Sequence, residues 1–211
     1  MDCVCPRPAE IQSISAQDCP ENLNQLQRIF FQRNGAGTFT DETVGAGGFA
    51  AQASWTPLFT AADDTKITKT PLFENLVIPQ GEPITEGGGD NTTLNGEVVV
   101  LGQGPISVTG TFRSIKNAIV KELKDYGCES KPGQAPGLGL YFANEFGKLI
   151  GKQPGGTGNA VVPIPLTSFF ISDAGNEGKN TDDKANFQFN FKEGWRDDLI
   201  LVTPDFDPLT V

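Results

Sequence analysis

Apolar and polar positions alternate most cleanly in "ANFQFNFKEG", where Phe187, Phe189 and Phe191 are separated by Gln188 and Asn190. A repeat of two places one class of side chain on one face of a β-strand. The same logic predicts a strand in "PISVTGTF", with Ile106, Val108 and Phe112 on one face and Gly110 in register with them. "LQRIFFQR" (Leu26 to Arg33) reads as the first strand, and "VVPIPLTSFFISD" as another. "GLGLYFANEFGKLIGKQ" reads as a hairpin, with a strand to Phe142, a turn over Asn144 to Gly147 and a return strand. A strand near "TKITKTPLF" is broken by Pro71 and so belongs at a sheet edge. A last short strand lies in "DDLILV".

Helical spacing is strongest in "SIKNAIVKELKDYG". Ile115, Ile119, Leu123 and Tyr126 form one stripe there, with charged residues on the remaining face. Ser114 is the predicted N-cap and Gly127 the predicted terminating glycine. A shorter helix is expected within "SWTPLFTAADDT", capped by Ser54 with Pro57 in its first turn. The pattern thus predicts a mainly β chain with one flanking α-helix, a β-sandwich or barrel. Its organisation is an N-terminal arm over 1–25, a single β-rich domain over 26–203 and a C-terminal tail over 204–211.

One stretch resists both periods. "PITEGGGDNTTLNG", Pro83 to Gly96, lies within an expected long loop at 79–96 between two apolar segments. It lacks the Lys-Ser/Thr pair of a phosphate loop, and a strand-like run follows it where a dinucleotide site needs a helix. Its acids do not have calcium-loop spacing, and "SDAGNEGKNTDD" (Ser172 to Asp183) matches that spacing only in part and reads as a solvated turn. A long polar segment without catalytic groups points to contact with a partner. The reading therefore names Thr85, Glu86, Gly87, Gly88, Gly89, Asp90 and Asn91 as assembly contacts. Phe206 and Leu209 join them as apolar anchors on the polar tail. Ordering such a glycine run costs ~1–2 kcal/mol per residue in backbone entropy, which a repeated contact between copies would offset.

Composition narrows the chemistry. The 211 residues include 25 Gly and 15 Pro, which favours a turn-rich β fold, and contain no His. That removes Ser-His and Cys-His nucleophilic systems and His-containing metal sites. The pairs Asp63/Asp64 and Asp197/Asp198 read as solvated acidic edges, because adjacent strand residues face opposite sides. Cys3, Cys5, Cys19 and Cys128 do not follow paired zinc spacing and read as free thiols of a reducing compartment. No enzyme activity, metal or cofactor is called for. A net charge of −10 opposes binding to a phosphate backbone but suits a surface past which DNA slides. The opening "MDCVCPRPAE" shows no apolar signal core and no run approaches a membrane span, so the expectation is synthesis in a reducing cytoplasm and no membrane partner.

Five stretches carry a resemblance to virion proteins of tailed bacteriophages: "QDCPENLNQLQRIFFQR", "LVIPQGEPITEGGGDNTTLNG", "FRSIKNAIVKELKDYGCE", "LYFANEFGKLIG" and "EGWRDDLILVTPDFDPLT". The chain is similar in outline to tail tube subunits, which implies a sandwich or barrel with one flanking helix. It also implies synthesis in the host bacterial cytoplasm, a virion location, ring-stacking homo-oligomers around an acidic DNA-conducting lumen, and contacts with other virion proteins. An auxiliary (decoration) capsid protein is the alternative. A soluble carbohydrate-binding β-sandwich is a third reading, limited by the presence of only two Trp and two Tyr.

Overall fold

A computed structural model of the protein describes residues 22–36, 39–89, 91–131, 133, 136–176 and 178–211. The predicted arm over 1–25, with Cys3, Cys5 and Cys19, falls outside these residues except for its last four. Cys128 is an exposed free thiol.

Eleven strands and two α-helices make up the described chain. β1 is Leu26–Arg33, α1 Gln52–Phe59, β2 Thr68–Lys69, β3 Glu74–Val77, β4 Pro83–Glu86, β5 Val99–Gln103 and β6 Ile106–Arg113. There follow α2 Asn117–Glu129, β7 Leu138–Asn144, β8 Leu149–Lys152, β9 Ile164–Ile171, β10 Lys184–Phe191 and β11 Leu199–Val202. Nine strands form one antiparallel sheet in the order β11-β8-β7-β9-β10-β6-β3, with β1 branching from β7 and carrying β2 at its outer side. β4 and β5 form a separate two-stranded sheet. The fold is mainly β, and the described strands close into no barrel.

The sheet turns a corner at β9. Ile164 and Pro165 pair with β7, whereas Leu166 to Ile171 pair with β10. A bulge opposite Asn190 and Phe191 resets the alternation there, which is how Leu166 and Phe169 are both buried three positions apart. The first core fills the angle. Phe31 and Phe142 from one half of the sheet meet Phe169, Phe189 and Phe191 from the other, with ring centroids 5.2–6.3 Å apart.

A second core lies on the far face of β1 and β7. Trp55 of α1 sits at its centre among Phe30, Phe39, Phe49 and Tyr141, and its indole N–H donates to the Phe49 carbonyl at 2.6 Å. β7 is therefore buried on both faces, with Leu138, Leu140 and Phe142 in one core and Tyr141 and Ala143 in the other. A strand covered on both sides needs a continuous apolar run, which is what "LGLYFA" supplies.

α2 lays Val120 and Leu123 against the first core, with Ile115, Ile119 and Tyr126 half-buried beside them, so the predicted stripe faces the sheet. Its ends differ from expectation. Lys116 occupies the N-cap position with no side-chain hydrogen bond, and Ser114 is a left-handed residue (φ 52°) two positions earlier. Gly127 lies inside the helix, which continues to Glu129. A Cβ at Gly127 would stand 3.0 Å from the Phe169 carbonyl oxygen, so this glycine serves close helix–sheet approach, not termination.

α1 also starts earlier than predicted. Ser54 is inside the helix with its hydroxyl buried and unpartnered, and Pro57 falls in the second turn. The helix N-terminus is held from elsewhere: the Gln52 N–H donates to the Asp205 carboxylate at 2.7 Å. An acceptor 153 residues away cannot be seen in a local capping pattern.

Candidate functional site: an exposed hairpin arm

The expected loop at 79–96 is in fact one strand and the tip of a β-hairpin. Pro83 pairs with Gln103, Ile84 with Gly102, Thr85 with Val100 and Glu86 with Val99. Leu101 is the extra residue of a bulge between the two halves of the ladder. The base is closed by the Gly104 N–H, which donates to the Glu82 carbonyl at 2.8 Å. The threonines and the alternation-free run "EVVVLG" hid this pairing, because neither strand shows a period of two.

The glycine run has a specific conformational cause. Gly87, Gly88 and Gly89 take φ of 92°, 116° and 98°, a region that disfavours any residue with a Cβ. A Cβ on Gly87 would lie 2.2 Å from the Glu97 carbonyl oxygen. The N–H groups of Gly88 and Gly89 both donate to the Gly96 carbonyl, at 3.3 and 3.1 Å. They bond across the hairpin and do not converge on an anion. A single 3-10 turn over Leu94–Gly96, with Asn95 at φ 59°, completes the tip.

The arm's side chains are unusual for a surface. Ile84, Leu94, Val98, Val99, Val100 and Leu101 are all 46–85% exposed. Successive strand residues point to opposite faces, so the run from Val98 to Leu101 presents aliphatic groups on both sides of the arm. Contiguous apolar surface of this kind marks an interaction site. Charge on the arm has one sign: Glu82, Glu86, Asp90 and Glu97 are its ionisable groups, and no Lys or Arg occurs from 70 to 112. Beside the arm's base lies an open cleft of about 750 Å³, walled by Leu23, Leu76, Ile106 and Trp195.

Of the predicted contact residues, Thr85, Glu86 and Gly87 to Gly89 lie on the arm, with Asn91 exposed near its tip. Asp90 lies outside the described residues. The aliphatic surface on β5 and at Leu94 was missed. Its one signal was the four-residue apolar run, which reads equally well as a buried strand.

Phe206 and Leu209, expected as apolar anchors of the tail, have a partner within the chain. They do not stand on a free tail but are half-buried against the chain's own second core, with the Phe206 ring 6.1 Å from Trp55. The tail is tied down by Arg28, whose guanidinium donates to the Pro208 and Val211 carbonyls at 3.1 and 3.0 Å. Burial lowers the Arg28 pKa, against the opposing pull of Asp207. The Asp205 N–H also donates to the Ala50 carbonyl at 3.0 Å.

The carboxylates once weighed for chemistry are dispersed. Asp63 accepts from the Thr65 hydroxyl and N–H, which holds its pKa below the usual carboxylate range, while Asp64 pairs with Arg33. In the turn after β9, Asp173 pairs with Lys124, Asp182 lies 3.7 Å from Arg113 and Asp183 accepts from Asn176 at 2.7 Å. No helix among the described residues is long and apolar enough to cross a membrane. Comparison with protein-family models and with curated protein sequences found no match.

Proposed function

We propose that this chain is a non-enzymatic structural subunit of a tailed-bacteriophage virion, of the tail tube kind, which stacks in rings through its hairpin arm. The observation that carries the reading is the arm itself, with six exposed aliphatic side chains distributed over two faces. Burying them would gain roughly 1.5–3 kcal/mol for each side chain fully covered, a force that acts again at every subunit of a closed or stacked array. In this reading the two halves of the nine-stranded sheet, folded together at β9 over the first core, form a β-sandwich with α2 on its flank. The net charge of −10 keeps a lumen from holding DNA.

The carbohydrate-binding reading loses support, because such sites favour exposed Trp and Tyr platforms, whose rings carry a polar handle. Trp55, Trp195 and Tyr141 are buried and Tyr126 stacks on Phe31 at 5.0 Å. An auxiliary capsid protein remains the other structural role, and it too would use the arm.

Negative-stain microscopy of the concentrated protein tests the proposal, beside a variant in which an Asn-Gly turn replaces 83–103. The Glu82–Gly104 closure gives such a turn its place. Rings or tubes in the parent and none in the variant are the expected result. Monomers in both samples count against the tube, and isolated closed oligomers without stacking favour the capsid role.

A further inference from the structure

Resting on that assembly reading, a receptor for the arm follows from which sheet edges have no partner strand among the described residues and how each is protected. A strand with aliphatic groups on both faces is not satisfied by a flat surface, which covers one face only. It is satisfied at the edge of a sheet that is packed on both sides. The nine-stranded sheet offers three outer strands. β2 is two residues long, carries Lys69 and is followed two residues later by Pro71. β3 begins with Glu74, paired to Arg113 at 3.0 Å, and is bulged at the left-handed Asn75. Charge, proline, shortness and bulges are the devices that blunt an edge against pairing.

β11 is also four residues long and is followed two residues later by Pro204, but within the strand it carries no charge, no proline and no bulge. Its sequence is Leu199-Ile200-Leu201-Val202, and among the described strands it pairs with β8 alone. Leu199 and Leu201 pack against the first core, Ile200 and Val202 against the second. A strand laid along its outer edge would therefore have one of the two cores continuing on each face. Val98 to Leu101 supply four aliphatic residues of the same two-sided character. Donor and receptor match in length and chemistry, and both belong to this chain.

We infer that β11 is the docking edge for the hairpin arm of a second copy, so that β5 of one subunit extends the nine-stranded sheet of the next. The contact is head-to-tail, arm to edge, and leaves an open array with one unused arm at one end and one unused edge at the other until a ring closes.

Hydrogen exchange on the unmodified full chain, compared at dilute and assembling concentrations, tests this directly. The amides of 199–202 should exchange at least about tenfold more slowly in the assembly, with those of 74–77 unchanged. A complementation experiment adds a second arm. Chains with Val98→Ser, Val100→Ser and Leu101→Ser retain the edge, and chains with Ile200→Lys retain the arm. Each alone should be monomeric by light scattering, and an equimolar mixture should form a one-to-one dimer. If Ile200→Lys unfolds the chain, the exchange measurement decides alone. Assembly with protection at 74–77, or without protection at 199–202, overturns the receptor while leaving self-assembly standing. Absence of assembly at any concentration overturns both.

Discussion

The hairpin arm and the C-terminal tail look alike on paper: each is a polar segment carrying scattered apolar residues at the margin of a β domain. Folded, they behave oppositely. The tail lies on the body, where Phe206 and Leu209 join the second core, Asp205 receives the first N–H of α1, and Arg28 clasps two tail carbonyls. The arm is bonded to itself through the β4–β5 ladder, and its aliphatic groups remain exposed. The difference is one of available partners. Trp55 sits with no measurable exposure beneath the tail, and six rings surround it. Among the described residues nothing comparable covers Val98 or Val100. Apolar residues on a polar segment therefore do not by themselves say whether the chain will cover them.

Substitutions should separate the two regions by the size of their effect on the monomer. Trp55→Ala removes the ring on which the tail rests and should lower unfolding free energy by about 3–5 kcal/mol in urea titrations followed by circular dichroism. A loss under 1 kcal/mol would mean that the tail side is no more integral to the fold than the arm. Arg28→Met keeps the apolar stem but deletes both bonds to the tail, and about 1–2 kcal/mol should be lost. Limited proteolysis should then cut first within 203–211. Cleavage elsewhere would show that the clasp does not hold the tail.

A smaller effect is expected in acid. Thr43 donates its hydroxyl and N–H to Asp41, and Gln153 with the Gly158 N–H donates to Glu42, so both carboxylates hold pKa values below their ordinary range. These bonds shape the loop that delivers Phe39 and Phe49 to the second core. A depressed folded-state pKa means the stabilisation is complete above the unfolded value and is lost as pH falls through the folded one. Asp41→Asn should therefore flatten the acid limb of the stability profile relative to the parent. An unchanged limb would remove this loop from the account.

Least of all should happen at the arm. Val98→Ser with Val100→Ser should move monomer stability by no more than about 0.5 kcal/mol, as for solvent-exposed positions generally. The same pair should abolish concentration-dependent assembly in light scattering. A large loss of monomer stability would place the arm with the tail, as part of the subunit's own core.

Much of the body was legible in the residues themselves. The buried faces of β6 and β10 and the stripe on α2 follow from local periodicity, which needs only a strand or helix with one wet and one dry side. β1 and the turn at Asn144 to Gly147 show instead as an apolar run and a set of turn residues. The mainly β class was equally visible. What chain-local patterns could not carry was any choice between partners distant in sequence. The cap on α1 comes from Asp205, the glycine in α2 answers to a carbonyl on β9, and the tail folds back because Trp55 and Arg28 await it. The run Val98 to Leu101 and the run Leu138 to Phe142 are both continuously apolar, yet only the second has a core on each side. Periodicity records which side chains avoid water, but whether the chain itself supplies their cover is decided by packing in three dimensions.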